Sequence, residues 1–312
     1  MGLFDFFSMP QEVRDLNLYS ALIDMNLRKI KKAIKKGGNP NALIEFGGDA
    51  KPIFFHYYKQ RNDRLAVCTR DKKLEYDPLY ADIRNVLIMG GMDIRNTLDS
   101  KGRNVLFSLT EETTVLECLN LGAKPDQIDK NGETVLIAMA DAVSNRRLDF
   151  KNACFSFRHI LRAPRFHDIV NHQRPSDKNT VWHILSKSQA KFDLEVIPEN
   201  PGSDYVRHLD LIKDTRNIFF MYSTLLAEHR GDPSLKNGAG QTVEDAYNEN
   251  YTPEPGRTYA PKEDFFPALK QLLTELMDKG PLPILAQPVV DGKQSKSKTV
   301  ILEREGHGGI GD

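Results

Sequence analysis

The chain has 312 residues, with 43 basic and 43 acidic side chains and no formal net charge. That length suits two ordinary domains or one elongated array, and the charge balance gives no reason to expect nucleic-acid or membrane binding through bulk electrostatics. No window reaches the roughly 18 consecutive apolar residues of a membrane helix, and the scattered Cys68, Cys118 and Cys154 predict reduced thiols in a cytoplasmic protein rather than a disulfide framework.

The opening MGLFDFF lacks the basic start and long apolar stretch of a secretory signal. Gly2 invites myristoylation, but that motif needs Ser or Thr where this chain has Phe6. Residues 1–15 are expected to cap the first helix pair, through Phe4, Phe6 and Phe7. Leu18, Ala21 and Leu22 predict the first helix of that pair, and Leu27, Ile30, Ala33 and Ile34 the second. Gly37-Gly38-Asn39-Pro40-Asn41 closes the pair with a left-handed residue and an extended turn. The next pair opens at Lys51-Pro52-Ile53, with Pro52 expected in the first helical turn. Phe54, Phe55, Tyr57 and Tyr58 make this helix aromatic. Its partner is expected over Leu79 to Met89, ahead of Gly90-Gly91-Met92-Asp93. Between the two, Arg61 to Asp77 is expected to be an inserted polar loop.

Asp99 to Ile137 holds one whole unit and the start of another. A Lys101-Gly102 turn leads to Asn104-Val105-Leu106 and a short apolar helix pattern. A second helix, Val115 to Leu121, stops at Gly122. After an Asp-Lys-Asn-Gly turn, Thr134-Val135-Leu136 restarts the cycle, 30 residues after Asn104. Such a period predicts a stacked array of small units. The fourth unit has helices at Val135 to Val143 and Asn152 to Leu161, with Ala163-Pro164-Arg165-Phe166 in place of a glycine exit. The fifth opens at Asp177-Lys178-Asn179-Thr180 and carries an insertion, Phe192 to Asp204, before a helix over Tyr205 to His229. The sixth opens at Gly240-Gln241-Thr242, loops through Asn250 to Pro261 and ends with a helix over Phe265 to Asp278. Residues 281–312 read as a mostly disordered tail.

The unit resembles the ankyrin repeat, whose pattern is roughly G-x-T-P-L-H-x-A, two helices, then G-A-D. Gly132, Thr134 and Leu136 match its opening, and Gly122, Ala123 and Asp126 its close with one residue extra. Thr180 and His183 match its Thr and His. No unit carries a complete Thr-Pro-Leu-His. The resemblance covers Leu16 to Lys279. It implies an all-α fold, an ankyrin-like helical solenoid of about six helix-turn-helix repeats with long insertions, over residues 16–280. It also implies a non-catalytic, monomeric module that binds a folded protein partner, with no cofactor, nucleic acid or membrane span. The irregular repeats resemble those of bacterial proteins delivered into host cells, which implies an effector acting on a host protein.

The insertions Arg61–Asp77, Phe192–Asp204 and Asn250–Pro261 share one phase, between the two helices of a unit, so they are expected along one edge. Loops on a rigid scaffold are where binding concentrates. The candidate partner-contacting residues are Phe55, Tyr57, Tyr58, Arg61, Arg64, Tyr76, Asp193, Glu195, Tyr205 and Tyr251. Consecutive helical residues point in different directions, so the aromatic run is expected to divide between core and a concave groove. The run Arg28 to Lys36 holds six bases in nine residues. It predicts a solvated convex face, with an acidic partner or anionic surface as the alternative.

Catalytic patterns are absent. No HExxH, CxxC, Gly-rich phosphate loop or G-x-S-x-G occurs. Cys118 sits in an apolar pattern and is expected in the core, and His183 is expected to bond a repeat turn. Two other functions compete: an inhibitor or immunity-type protein that masks a toxin or enzyme active site, and an enzyme with a polar pocket around His167, His172, His183 and Asp177.

Overall fold

The computed structural model describes residues 9–46, 48–66, 68, 70–145, 150–163, 169–191 and 218–250, and residues 266, 267, 270, 271, 274 and 275. These residues are mostly helical. In chain order they form α1 (Gln11–Ile23), α2 (Leu27–Lys35), β1 (Leu43–Phe46), β2 (Asp49–Pro52), α3 (Ile53–Ala66), α4 (Arg70–Met89), a 3-10 turn (Val105–Ser108), α5 (Glu112–Asn120), α6 (Val135–Ser144), α7 (Phe150–Arg162), α8 (Val181–Lys191), α9 (Ile218–Glu228) and α10 (Val243–Asn250). Phe4, Phe6, Phe7, the Phe192–Asp204 insertion, the expected helix before Ile218, the Tyr251–Pro261 loop and the tail lie outside the described residues.

The helices lie in two rows. In the first, α1 packs on α3, α3 on the 3-10 turn, that turn on α6, α6 on α8 and α8 on α10. In the second, α2 packs on α4, α5 on α7 and α7 on α9. One apolar cluster runs the whole way, from Leu18 through Ile53, Leu106, Leu136, Leu185 and Leu226 to Phe266. Each buried Leu or Ile contributes about 1.5–3 kcal/mol.

Four boundaries depart from the expectations, each for a packing reason. α1 starts at Gln11, inside the segment expected to be a cap, because Pro10 presets the backbone (φ −54) and Glu12 complements the helix dipole. Pro52 closes β2 instead of entering the helix. β1 and β2 form an antiparallel hairpin from Leu43↔Pro52 to Phe46↔Asp49, which the sequence pattern does not announce. The Arg61–Asp77 segment is no polar loop. α3 runs on to Ala66, since Arg61, Asn62 and Leu65 continue the buried face of Phe54 and Tyr58. α4 starts at Arg70 and keeps Pro78 inside it, because Tyr80, Ile83 and Leu87 hold its face in the core and outweigh the proline penalty.

The connections repeat one geometry. At Asp99, Asp129 and Asn237 the side chain accepts hydrogen bonds from the backbone N–H groups two and four residues on. The same residue donates its own N–H to the carbonyl four residues on, at 2.9 Å in all three turns. The fourth residue is Gly102, Gly132 or Gly240, each at φ +78, a left-handed conformation that costs other residues about 1–2 kcal/mol. Four of the second-row helices, α2, α4, α5 and α9, also end alike. Gly38, Met92, Ala123 and Gly231 each donate back five residues, to Ala33, Leu87, Cys118 and Leu226. This is the Schellman closure. Arg230, at φ 63, takes the glycine position in the last of them.

Gly132 and Gly240 share one φ, but a Cβ on Gly132 would come within 2.4 Å of Pro175 Cγ, whereas at Gly240 nothing lies within 4 Å. Gly240→Ala is expected to cost about 1–2 kcal/mol from φ alone. Gly132→Ala should cost about 1–3 kcal/mol more from overpacking. Urea unfolding of both variants checks the order.

Candidate functional site

The turns join into an edge. Ser100 N–H donates to Ala50 O, Lys130 N–H to Lys101 O and Gly238 N–H to Asp177 O, at 2.9, 2.9 and 2.7 Å. Ion pairs reinforce the ladder. Lys101 pairs with Asp49 at 2.7 Å, and Arg103 with Asp129 and Glu133 at 2.7 and 2.9 Å. Arg174 meets Asp141 and Asp177, both at 2.6 Å. Asp129 is buried, so its pair with Arg103 is the better desolvated and is less weakened by salt than an exposed one. The tips, Ser100, Asn131, Ser176, Lys178 and Ala239, stay exposed.

Asparagines bind the helix exits in the same way. Asn41 donates to Gly91 O at 2.8 Å and accepts from Asp93 N–H at 2.9 Å. Asn171 repeats the bond pair, donating to Arg230 O at 3.0 Å and accepting from Asp232 N–H at 2.7 Å. Neither asparagine is among the sequence candidates. The preserved Gly-Gly-x-Asp and Arg-Gly-Asp exits that they bridge are the only signal.

The predicted contact residues separate. Phe55, Tyr57, Tyr58 and Arg61 are buried, at 4, 0, 0 and 5% exposure, and therefore belong to the core rather than to an accessible groove. Tyr57 Oη donates to Tyr80 O at 2.8 Å, and Phe54, Tyr57 and Tyr58 pack edge to face. Arg64 is exposed and Tyr76 half-buried against the core. Asp193, Glu195, Tyr205 and Tyr251 lie outside the described residues.

Arg61 reaches Glu117 at 2.6 Å, a contact without hydrogen-bond alignment, and Arg84 donates to the same oxygen at 2.8 Å. Burial works against the Arg61 charge and the neighbouring Glu117 carboxylate favours it; on balance the guanidinium is held above its usual range. Arg61 also sits 5.6 Å from the Tyr80 ring centroid. Beside them Cys118 is fully buried, and burial pushes its thiol far up, so it stays a neutral packing group.

The histidines near Asp177 serve the turns. Thr180 N–H and Oγ1 meet His183 Nδ1 at 3.3 and 2.8 Å, and His183 Nε2 meets Gln241 O at 3.0 Å. An N–H pointing at Nδ1 makes that nitrogen the acceptor, so Nε2 carries the proton and donates across to the next turn. His172 Nε2 meets Gly132 O at 2.7 Å. His167 lies outside the described residues. Asp177 receives Arg174 and the Asn179 N–H. No group of three metal-ligating side chains occurs among the described residues. No described helix is long and apolar enough to cross a membrane.

No protein-family model and no curated protein matches this chain.

The buried polar groups give two expected outcomes. Glu117→Leu leaves Arg61 buried beside one fewer charge and should cost about 3–5 kcal/mol. Arg61→Met with Glu117→Leu should recover part of that loss, which a double-mutant cycle in urea reads as coupling. For His183, burial lowers the folded-state pKa below the unfolded value near 6.5, as burial and then Lys51 do for His56. Its stabilisation is therefore full above about pH 6.5 and lost as pH falls through that value. The urea midpoint should drop between about pH 7.5 and 5.5, with a smaller drop in His183→Gln.

Proposed function

We propose that the chain is a non-catalytic, ankyrin-like repeat scaffold that binds a folded protein through its turn edge. The observation that carries this reading is the recurrence of one turn at Asp99, Asp129 and Asn237, with the same bonds and the same left-handed glycine, joined to neighbouring turns by backbone bonds. An array built that way is rigid and repeats its exposed tips at regular intervals. A partner meeting such a preformed surface orders little on binding.

Three features support a binding rather than a catalytic role. The polar groups that a hidden active site would use, His172, His183 and Asp177, are engaged in turn bonds. Cys118 is held neutral in the core. The exposed polar tips stand on a scaffold that does not need them for packing. The two-row stacking, the Thr180–His183 pair and its counterpart at Thr242 and Asp245, where Thr242 Oγ1 donates to Asp245 at 2.7 Å, fit the ankyrin resemblance.

The whole chain bearing Asn131→Arg and Ser176→Arg tests the reading. Both positions are exposed, so the variant should keep its unfolding midpoint. A partner captured by the native chain from its own cells or from a eukaryotic lysate should bind this variant at least about tenfold more weakly, on the order of 1.4 kcal/mol. A partner that binds both equally would move the site off the turn edge. A chain that turns over substrate, or that captures nothing in either lysate, would overturn the scaffold reading.

A further inference from the structure

The first helix pair carries a feature that the protein-binding reading does not use. Between α1 and α2 lies a groove of about 320 Å³ lined by Arg14, Asn17 and Ser20 from one helix, Lys29 and Lys32 from the other, and Lys36 just past its end. Its floor is Ala21 and Ala33, both buried, whose small side chains leave the space open. Met9 completes the wall. None of the lining residues is acidic.

The basic run reads from sequence as a uniform convex face, but the helix divides it. Lys29, Lys32 and Lys36 are one turn apart and share the groove, while Arg28, Lys31 and Lys35 lie outside it. Like charges at that spacing repel, by about 0.2–0.5 kcal/mol per pair. Attraction to the C-terminal dipole of α2 explains bases in its last turn, but not Lys29 in its first turn or Arg14 on the facing helix. Lys29 is balanced by Asp24 at 2.8 Å. Lys32 has no ion pair among the described residues. Arg14 is anchored by one bond, from Nε to Met9 O at 3.0 Å, and its two terminal nitrogens make no other hydrogen bond there.

We propose that this groove binds a compact ligand bearing clustered phosphates. Convergent cations from two helices supply the charge, the Arg14 fork suits phosphate oxygens, and Asn17 and Ser20 supply neutral donors. The volume is at the small end for ligand pockets, which run from about 300 Å³, and so suits a few phosphates on a small body rather than a nucleotide with its base. The proposal does not depend on the repeat reading.

Calorimetric titration of the full chain with pyrophosphate and with inositol hexakisphosphate tests it, beside sedimentation with vesicles of phosphatidylcholine containing phosphatidylinositol bisphosphate. The groove variant is Arg14→Gln with Lys32→Gln. The control is Arg28→Gln with Lys31→Gln, which removes the same charge from the other face. Saturable binding of one probe per chain is expected, at least about tenfold weaker in the groove variant and changed less than about twofold in the control. Binding of the soluble probes alone assigns a soluble ligand, and vesicle capture with the same variant pattern assigns a lipid headgroup. Should the groove variant not fold, Lys32→Gln alone carries the comparison. Equal weakening in both variants would show bulk charge attraction, and that result, or no binding of any probe, overturns the proposal.

Discussion

Among the described residues the helix pairs share one apolar cluster, and single backbone bonds tie several of the turns to the turn beside them. Lys130 N–H to Lys101 O and Gly238 N–H to Asp177 O each tie one turn to the turn beside it. Once that bond sets the spacing, Leu106 and Leu136 meet in one core and the helices fall into rows. The left-handed glycine is required because the same five residues must turn sharply and present an outward N–H. This local geometry, more than any single hydrophobic contact, makes the units stack.

Polar groups buried along the stack obey the same logic. Asp129, Thr134, Asn179, Thr180, His183 and Asn237 are all buried, and each bonds a turn or the start of a helix. A buried polar group with its partners in place resists any shift in register, because a slipped arrangement would strand it without them. Arg61 and Glu117 depart from this logic, as do the buried hydroxyls of Tyr58 and Tyr80. Arg61 and Glu117 sit between helices, share their charge with Arg84, and leave Arg61 Nε and Glu117 Oε1 without hydrogen bonds. Where several polar groups meet without full satisfaction, the stack is least optimised.

The surfaces open to ligands lie apart from that interior. The turn tips form an exposed, mostly polar edge, and the α1–α2 groove concentrates positive charge at the first pair. Most of the backbone bonds that hold these elements do not involve the exposed side chains, though Ser100 Oγ accepts from Ala50 N–H at 3.1 Å. Substitutions there can change recognition without much change in the fold, which is the practical advantage of a scaffold whose stability resides in turns and core.

Much of this organisation is legible in the residues themselves. Asp-x-Lys-Gly at Asp99, Asp-x-Asn-Gly at Asp129 and Asn-x-x-Gly at Asn237 announce their turns, and Gly-Gly exits announce helix ends, because these geometries are set within five or six residues. The helical character of Leu18–Ile34, Val115–Leu121 and Val135–Val143 comes from apolar spacing for the same reason. The length of α4 does not, since Pro78 and the charged residues before it argue locally for a loop and only packing through Tyr80 and Ile83 extends the helix. Nor could the sequence decide that Phe54, Phe55, Tyr57 and Tyr58 would all be buried, that Arg61 would be buried against Glu117, or that the basic run would split between a groove and an open face. Those outcomes depend on residues dozens of positions away. Short-range geometry is determined by the chain's own sequence, whereas burial and charge pairing are decided only when distant helices are brought into contact.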